Sequence, residues 1–314
     1  MYHIIVNSRS RSGYGGKIWQ KIRHRLILEG IPFQEYQTKC RLDAKKIAKV
    51  LTENERWKEE DVLLVLGGDG TVNEAVNGIC HPERVRFGYI PTGSGNDFAR
   101  GTGLCRDADQ ALDAILNGSE RRIDIGKAVL AEGETRRFLI SSGIGYDAAI
   151  CHEALSSRIK DTLNRFHLGK LTYCMIALRQ LYFLKPFTIR LTREDGTVLN
   201  CEDAFFAVAM NLPYEGGGFR FCPDALCDDQ LLDVCVVSSI KKWQVSYLLP
   251  LALLGRHTGF PEVHMEKCKK ISWQTDCAQS VHLDGESGGR RCLMTLEVEK
   301  EQLRLLGANA VQKE

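Results

Sequence analysis

Residues 62–77 read VLLVLGGDGTVNEAVN. The apolar run Val62–Leu66 predicts a buried strand, Gly67-Gly68-Asp69-Gly70-Thr71 a turn, and Val72 onward a helix. A strand ending in a glycine turn that opens a helix aims backbone amides at one point, with no side chains blocking access. That is the chemistry of a polyphosphate site. Gly-Gly-Asp-Gly is also ordinary turn chemistry, because glycine supplies positive φ and aspartate closes local hydrogen bonds. Its spacing fits neither G-x-x-x-x-G-K-[ST] nor G-x-G-x-x-G, so the turn is neither a Walker P-loop nor a Rossmann turn.

A second turn favours the phosphate reading. Phe87-Gly88-Tyr89-Ile90 reads as a short strand, and PTGSGNDFAR follows at 91–100. Two glycine turns, each after an apolar strand and each carrying an aspartate, are expected to face one another across the carboxyl edge of a parallel sheet. Open α/β sheets bind their ligands there.

The first third alternates strand and helix patterns: Ile4–Val6, a helix with Ile18, Ile22 and Leu26 at spacing four, Phe33–Tyr36, and a helix with Ala44, Ile47, Ala48 and Leu51. The Val62 strand, the helix after Thr71, the Phe87 strand and a helix over 108–116 complete it, which predicts an N-terminal α/β domain with a mostly parallel sheet. From about Arg122 the pattern turns to strand runs with hairpin signals at Glu132-Gly133-Glu134 and Asp195-Gly196, the signature of an antiparallel β-sandwich. Helical insertions are expected over about 147–183 and 242–254. Their apolar stripes belong to the core more often than to a lipid pocket.

Across 314 residues, 42 basic and 40 acidic side chains nearly cancel to a formal +2, which gives no electrostatic footprint for nucleic acid. The 12 cysteines are scattered without a C-x-x-C pair, and the 8 histidines show no metal-ligand spacing, as expected of a reduced cytoplasmic protein. The amino terminus lacks a signal-peptide core, and Val245–Leu254, interrupted by Pro250, falls short of the roughly 20 apolar residues needed to span a bilayer.

Four ordered motifs carry a resemblance: GGDGTVNE at 67–74, PTGSGNDFAR at 91–100, PDALCDDQLLDV at 223–234 and LDGE at 283–286. They resemble the diacylglycerol kinase family of lipid kinases, above all its soluble bacterial members, related to sphingosine and ceramide kinases. The match in order and spacing runs over almost the whole chain. It implies a nucleotide-binding domain over 1–122, with 293–314 returning to it, and a lipid-substrate β-sandwich over 123–292. It also implies ATP as co-substrate, Mg²⁺, and a lipid acceptor, most simply diacylglycerol, met at a membrane the enzyme visits transiently.

Phosphoryl transfer needs a nucleotide held by its phosphates, a cation to neutralise developing charge, and a base near the incoming hydroxyl. Gly67, Gly68, Gly70 and the amide of Thr71 answer the first need, with Asp69 and Asp97 close by. Asp69 repels phosphate unless a cation intervenes, which suggests Mg²⁺ there; capping the helix from Val72 is its other available job. Asn73 and Glu74 suit the first helical turn by the dipole alone. The resemblance places Asn73, Val72, Ser94, Asn96, Asn7 and Thr38 around the nucleotide, although the family's usual Asn-Pro is absent after Asn7 and arginines enter that loop. It makes Glu286 the proton acceptor and Asp284 the neighbouring acid, whose roles the sequence does not separate. It also implies a second, structural Mg²⁺ held by Asp229 and the carbonyls of Leu226 and Leu231, in a turn where Gln230 replaces the usual glycine.

Other acceptors fit the same motifs: a sphingoid or ceramide-like lipid, phosphatidylglycerol, or a soluble acceptor as in the related NAD kinases and phosphofructokinases. A nucleotide-sensing module without turnover is the non-enzymatic alternative, and Asp69, Asp97, Asp284 and Glu286 count against it. Antiparallel edge strands would let two copies pair.

Overall fold

The computed structural model describes residues 1–54, 57–130, 133–146, 148–149 and 185–308. Nearly all of the helical insertion expected over 147–183 lies outside the described residues.

The first sheet contains β1 (Tyr2–Val6), β2 (Phe33–Gln37), β3 (Val62–Gly67), β4 (Arg86–Pro91) and β5 (Glu120–Ile123), joined late in the chain by β15 (Leu303–Leu306). Its order is β2-β1-β3-β4-β15-β5, parallel throughout except for β5, which runs antiparallel to β15. β3 is apolar along its length because helices cover both faces. On one face Leu64 and Leu66 pack with Trp19, Ile22 and Leu26 of α1 (Ser10–Leu28) and with Leu112 and Ile115 of α5 (Ala108–Leu116). On the other, Leu63 and Val65 meet Ala44 and Ala48 of α2 (Asp43–Thr52) and Val72, Ala75 and Val76 of α3 (Asp69–Val76). A short helix, α4 (Asp97–Thr102), follows the second glycine turn.

The second sheet is antiparallel, ordered β12-β11-β10-β8-β13-β14-β6-β7. Its strands are β6 (Gly126–Val129), β7 (Thr135–Phe138), β8 (Ser141–Gly145), β9 (Phe187–Arg193), β10 (Val198–Met210), β11 (Leu232–Ser238), β12 (Val263–Cys268), β13 (Lys270–Leu283) and β14 (Glu286–Val298). β8 and β9 lie end to end between β10 and β13, because both long strands pair first with one and then with the other. Residues from both ends of the sheet, Phe138 and Val236 among them, share one core with Trp273, so the sheet curls over itself into a sandwich. Its outer face at β10 and β11 is covered by α6 (Val245–Leu253).

Two expectations need correction. The sequence reads as separate strand runs at 269–274 and 280–283, but the two are one strand, β13, with its register shifted between Gln274 and Gln279. The return to the first domain begins after residue 298 rather than at 293. Thr295–Val298 pair with β6 and send Met294 and Leu296 into the sandwich core, and the chain re-enters the first sheet only at β15.

One arginine joins the domains. The Arg137 guanidinium donates to both carboxylate oxygens of Glu299, at 2.9 and 3.0 Å, and to the carbonyls of Val76 and Ile79 at and beyond the end of α3. Its backbone exchanges hydrogen bonds with the Asn77 side chain. Arg137→Met strands these carbonyls and the mostly buried Glu299 carboxylate, and should lower unfolding free energy by about 2–4 kcal/mol in urea titrations.

Candidate active site

β3 and β4 are in register at Gly67 and Pro91, so their glycine turns leave the same edge of the sheet side by side. They touch through backbone: a Cβ added at Gly93 would stand 2.7 Å from the Cα of Gly68. No other residue type allows this approach at Gly93. The Gly67 carbonyl accepts from the amide of Thr92 at 2.7 Å and the hydroxyl of Tyr89 at 3.2 Å. Gly68 stands extended as N-cap of α3, and Asp69 and Gly70 begin the helix with N–H groups that the helix does not use.

The site residues expected from sequence divide in three. Asp69, Asp97, Gly68, Gly70 and Glu286 come together. Asn7, Gly67, Thr71, Val72 and Asn96 build the frame beneath them. Asn7 Nδ2 donates to Thr71 Oγ1 at 2.9 Å, the amides of Thr71 and Val72 are already donated to Gly68 O, and the Val72 side chain is core. Asn96, left-handed at φ 53°, closes its turn by accepting from Gly93 N at 2.9 Å. Thr71 therefore does not offer the free amide expected of it, and that of Val72 is taken up in the same way. Ser94 is exposed at the turn's tip, and Thr38 donates its amide to Val6 O at the end of β2.

Asn73 is the clearest departure. Rather than joining the nucleotide turn, its side chain donates to Asp284 Oδ2 at 2.8 Å and to Arg137 O at 3.1 Å. It sits on the face of α3 turned to the second domain.

Asp284 and Gly285, at φ 50° and 78°, are the two central residues of the β13–β14 hairpin, a type I′ turn that favours Asp-Gly. The Asp284 carboxylate accepts from the amides of Leu139, Ile140 and Ser141 and from Asn73, at 2.8–3.0 Å. Burial raises its pKa, and these donors pull it back. Glu286 is delivered to the other domain: its Oε1 lies 3.0 Å from where a Cβ at Gly70 would stand, and its Oε2 accepts from Arg41 at 2.7 Å. Glu74 stays structural, accepting from the amide of Leu42, whose φ of 68° shapes the loop that carries Arg41.

The two aspartates of the glycine turns are buried together. Asp69 accepts from the amides of Asp97 and Phe98, both at 3.2 Å, while Asp97 accepts from Gly217 N at 2.7 Å and pairs with Arg100 at 3.1 Å. Burial and the neighbouring Asp97 charge push Asp69 up to about 6. Asp97 is also raised, chiefly by burial. Two desolvated carboxylates at a phosphate turn suit Mg²⁺, which takes one or two carboxylates and completes its shell with phosphate oxygens and water.

The turn expected to hold a second ion has a lysine beside its carboxylate. Asp229 Oδ1 accepts from the amide of Leu231 at 3.1 Å. The Lys267 ammonium stands 3.8 Å from Asp229 Oδ2, 3.2 Å from Asp233 Oδ1 and 3.5 Å from Asp224 O, supplying positive charge itself. Gln230 keeps the left-handed turn at φ 59°, held by its amide donating to Asp124 Oδ2 at 2.7 Å. Among the described residues, no group of three or more His, Cys, Asp or Glu is gathered to hold a metal.

Sequence reasoning missed Arg41, Arg100, the Gly216–Gly218 loop and His282. Arg100 follows the second motif directly, and three consecutive glycines after Glu215 were the available signal for the loop. Buried His282 places Nε2 3.0 Å from Glu215 Oε1, and its Nδ1 accepts from the amide of Gly285, bracing the hairpin.

Comparison with known proteins agrees with this architecture. The profile described as the diacylglycerol kinase catalytic domain matches residues 1–128, and that described as the YegS C-terminal NAD kinase beta sandwich-like domain matches residues 143–307. A diacylglycerol kinase of Staphylococcus aureus is 32% identical over 260 residues, covering 82% of this chain and 78% of that protein. The Bacillus subtilis protein YtlR is 28% identical over 291 residues, covering 92% and 94%. A solved structure from Bacillus anthracis superposes with a TM-score of 0.75 at 26% identity, covering 98% of this chain and 95% of its own. The chain belongs to the diacylglycerol kinase family: it is a lipid kinase, a phosphotransferase.

The Asp69 pKa of about 6 lies above the 3.8 of an ordinary aspartate, so ionising Asp69 opposes folding. That contribution to stability is full below pH ~4 and is lost as pH rises through ~6, amounting to about 3 kcal/mol. Denaturant titrations without nucleotide should show stability falling between about pH 4 and 6, with a shallower fall in Asp69→Ala.

Proposed function

We propose that the protein transfers the γ-phosphate of ATP to the hydroxyl of a membrane lipid, diacylglycerol, giving phosphatidic acid and ADP. The observation that carries this reading is the contact of Glu286 with Gly70. A carboxylate from the second domain stands against the turn that would hold the phosphates, so an acceptor hydroxyl beside it is in reach of the donor.

The glycine turns bind the phosphates through the first N–H groups of α3. Mg²⁺ held by Asp69 and Asp97 would neutralise charge developing on the transferred group. Glu286 takes the proton of the acceptor hydroxyl as attack proceeds. Arg41, paired with Glu286 at 2.7 Å, holds that carboxylate at the mouth of the site. Asp284 is the anchor rather than the base, because its oxygens are committed to four donors.

The two carboxylates therefore respond differently. Glu286→Gln should lower kcat by about 10²–10⁴-fold with Tm unchanged. Asp284→Asn, which turns an amide N–H₂ toward backbone N–H groups, should first lower Tm. Equal losses of Tm in both variants would remove the division of roles. The acceptor is read by incubating the protein with γ-labelled ATP and separate vesicles carrying diacylglycerol, ceramide or phosphatidylglycerol, and identifying the product by mass spectrometry. Labelling of diacylglycerol is expected, and transfer to another lipid alone would overturn the assignment.

A further inference from the structure

Residues 240–260 read IKKWQVSYLLPLALLGRHTGF: twenty-one residues with Lys241, Lys242 and Arg256 but no Asp or Glu, in a chain that carries 40 acids in 314. The segment folds as α6 and its flanking turns. Val245, Leu248 and Ala252 are buried against Val208, Met210, Cys235 and Val237 on the outer face of the second sheet. The opposite side presents Trp243, 64% exposed, Leu253, 48%, and Leu254, 59%, with exposed Pro250 among them. Lys241, Lys242 and Arg256 are exposed at the two ends of the helix.

An exposed indole and two leucines beside cations, in a segment with no Asp or Glu of its own, form a surface that water disfavours and an anionic headgroup layer favours. Indole rings partition to that depth of a bilayer, and lysine and arginine are drawn to anionic lipid. With nine residues α6 is too short to span, so it suits lying in the interface.

The helix is also tied to the active site. Ala252 O accepts from the amide of Arg220 at 3.0 Å. The Arg220 guanidinium lies 5.5 Å from the Tyr214 ring centroid, as does that of Arg100, the partner of Asp97. We infer that Trp243, Leu253 and Leu254, with Lys241, Lys242 and Arg256, are the face by which the protein docks on anionic bilayers, holding the active site beside the lipid layer. The surface is argued from α6 alone; its service to the reaction rests on the acceptor being a membrane lipid.

The test uses the full chain with phosphatidylcholine vesicles, alone or containing phosphatidylglycerol. Trp19 and Trp273 are buried and Trp57 partly so, which makes Trp243 the reporter: its emission should shift to the blue on anionic vesicles and not on phosphatidylcholine alone. The triple variant Trp243→Ser, Leu253→Ser, Leu254→Ser should keep its Tm and sediment with anionic vesicles at least tenfold more weakly. Lys241→Glu with Lys242→Glu should weaken binding most at low ionic strength. Phosphorylation of a short-chain, water-soluble diacylglycerol should survive in the triple variant while that of long-chain lipid in vesicles falls. Vesicle binding by the triple variant equal to wild type would overturn the proposal, as would a wild-type dimer that the triple variant abolishes, since a second copy would then own the face. Wild-type protein that docks but phosphorylates no short-chain acceptor would leave the docking face standing and remove the diacylglycerol reading.

Discussion

The carboxylate of Asp284 carries the architecture of the site. Its donors come from both domains: the amides of Leu139, Ile140 and Ser141 where the chain crosses between β7 and β8, and the Asn73 amide of α3. A hairpin tip held this way cannot slide against the glycine turn, so Glu286 two residues on arrives beside Gly70. The type I′ turn supplies the rest, because Asp-Gly lets the backbone reverse between Asp284 and Glu286 within two residues.

A second constraint is charge. Asp69 and Asp97 are buried within reach of each other's field, and the fold tolerates this through the amides of Asp97, Phe98 and Gly217 and the guanidinium of Arg100. Burial raises both carboxyl pKa values, and at Asp69 the Asp97 charge adds to it. At the Asp229 turn the chain goes the other way, meeting its carboxylates with Lys267.

Much of this was legible in the sequence for local reasons. Leu63 to Leu66 alternate toward two helix-covered faces, so a continuous apolar run announces a central parallel strand. Glycines mark the turns because only they permit the backbone contact of Gly68 with Gly93. The resemblance returns the chain to the first domain from 293, whereas the pairing of Thr295–Val298 with β6, which alternation along the chain does not specify, keeps it in the second until residue 298. Asn73 was misplaced for a similar reason: sequence puts it in the first turn of a helix that opens at a phosphate site, while its place around the helix axis turns its side chain to the hairpin.

By itself, then, the sequence determined the two domain types, the two facing glycine turns and the acidic residues that serve them, since strand periodicity, turn chemistry and motif spacing are properties of neighbours along the chain. Tertiary structure alone decided the separation of Asp284 from Glu286, the arrival of Arg41 and Gly217 at the site, and the approach of Lys267 to Asp229 and Asp233. Each of these depends on groups far apart in sequence meeting at hydrogen-bond distance. Such meetings are set by how the two sheets pack, which local pattern does not encode.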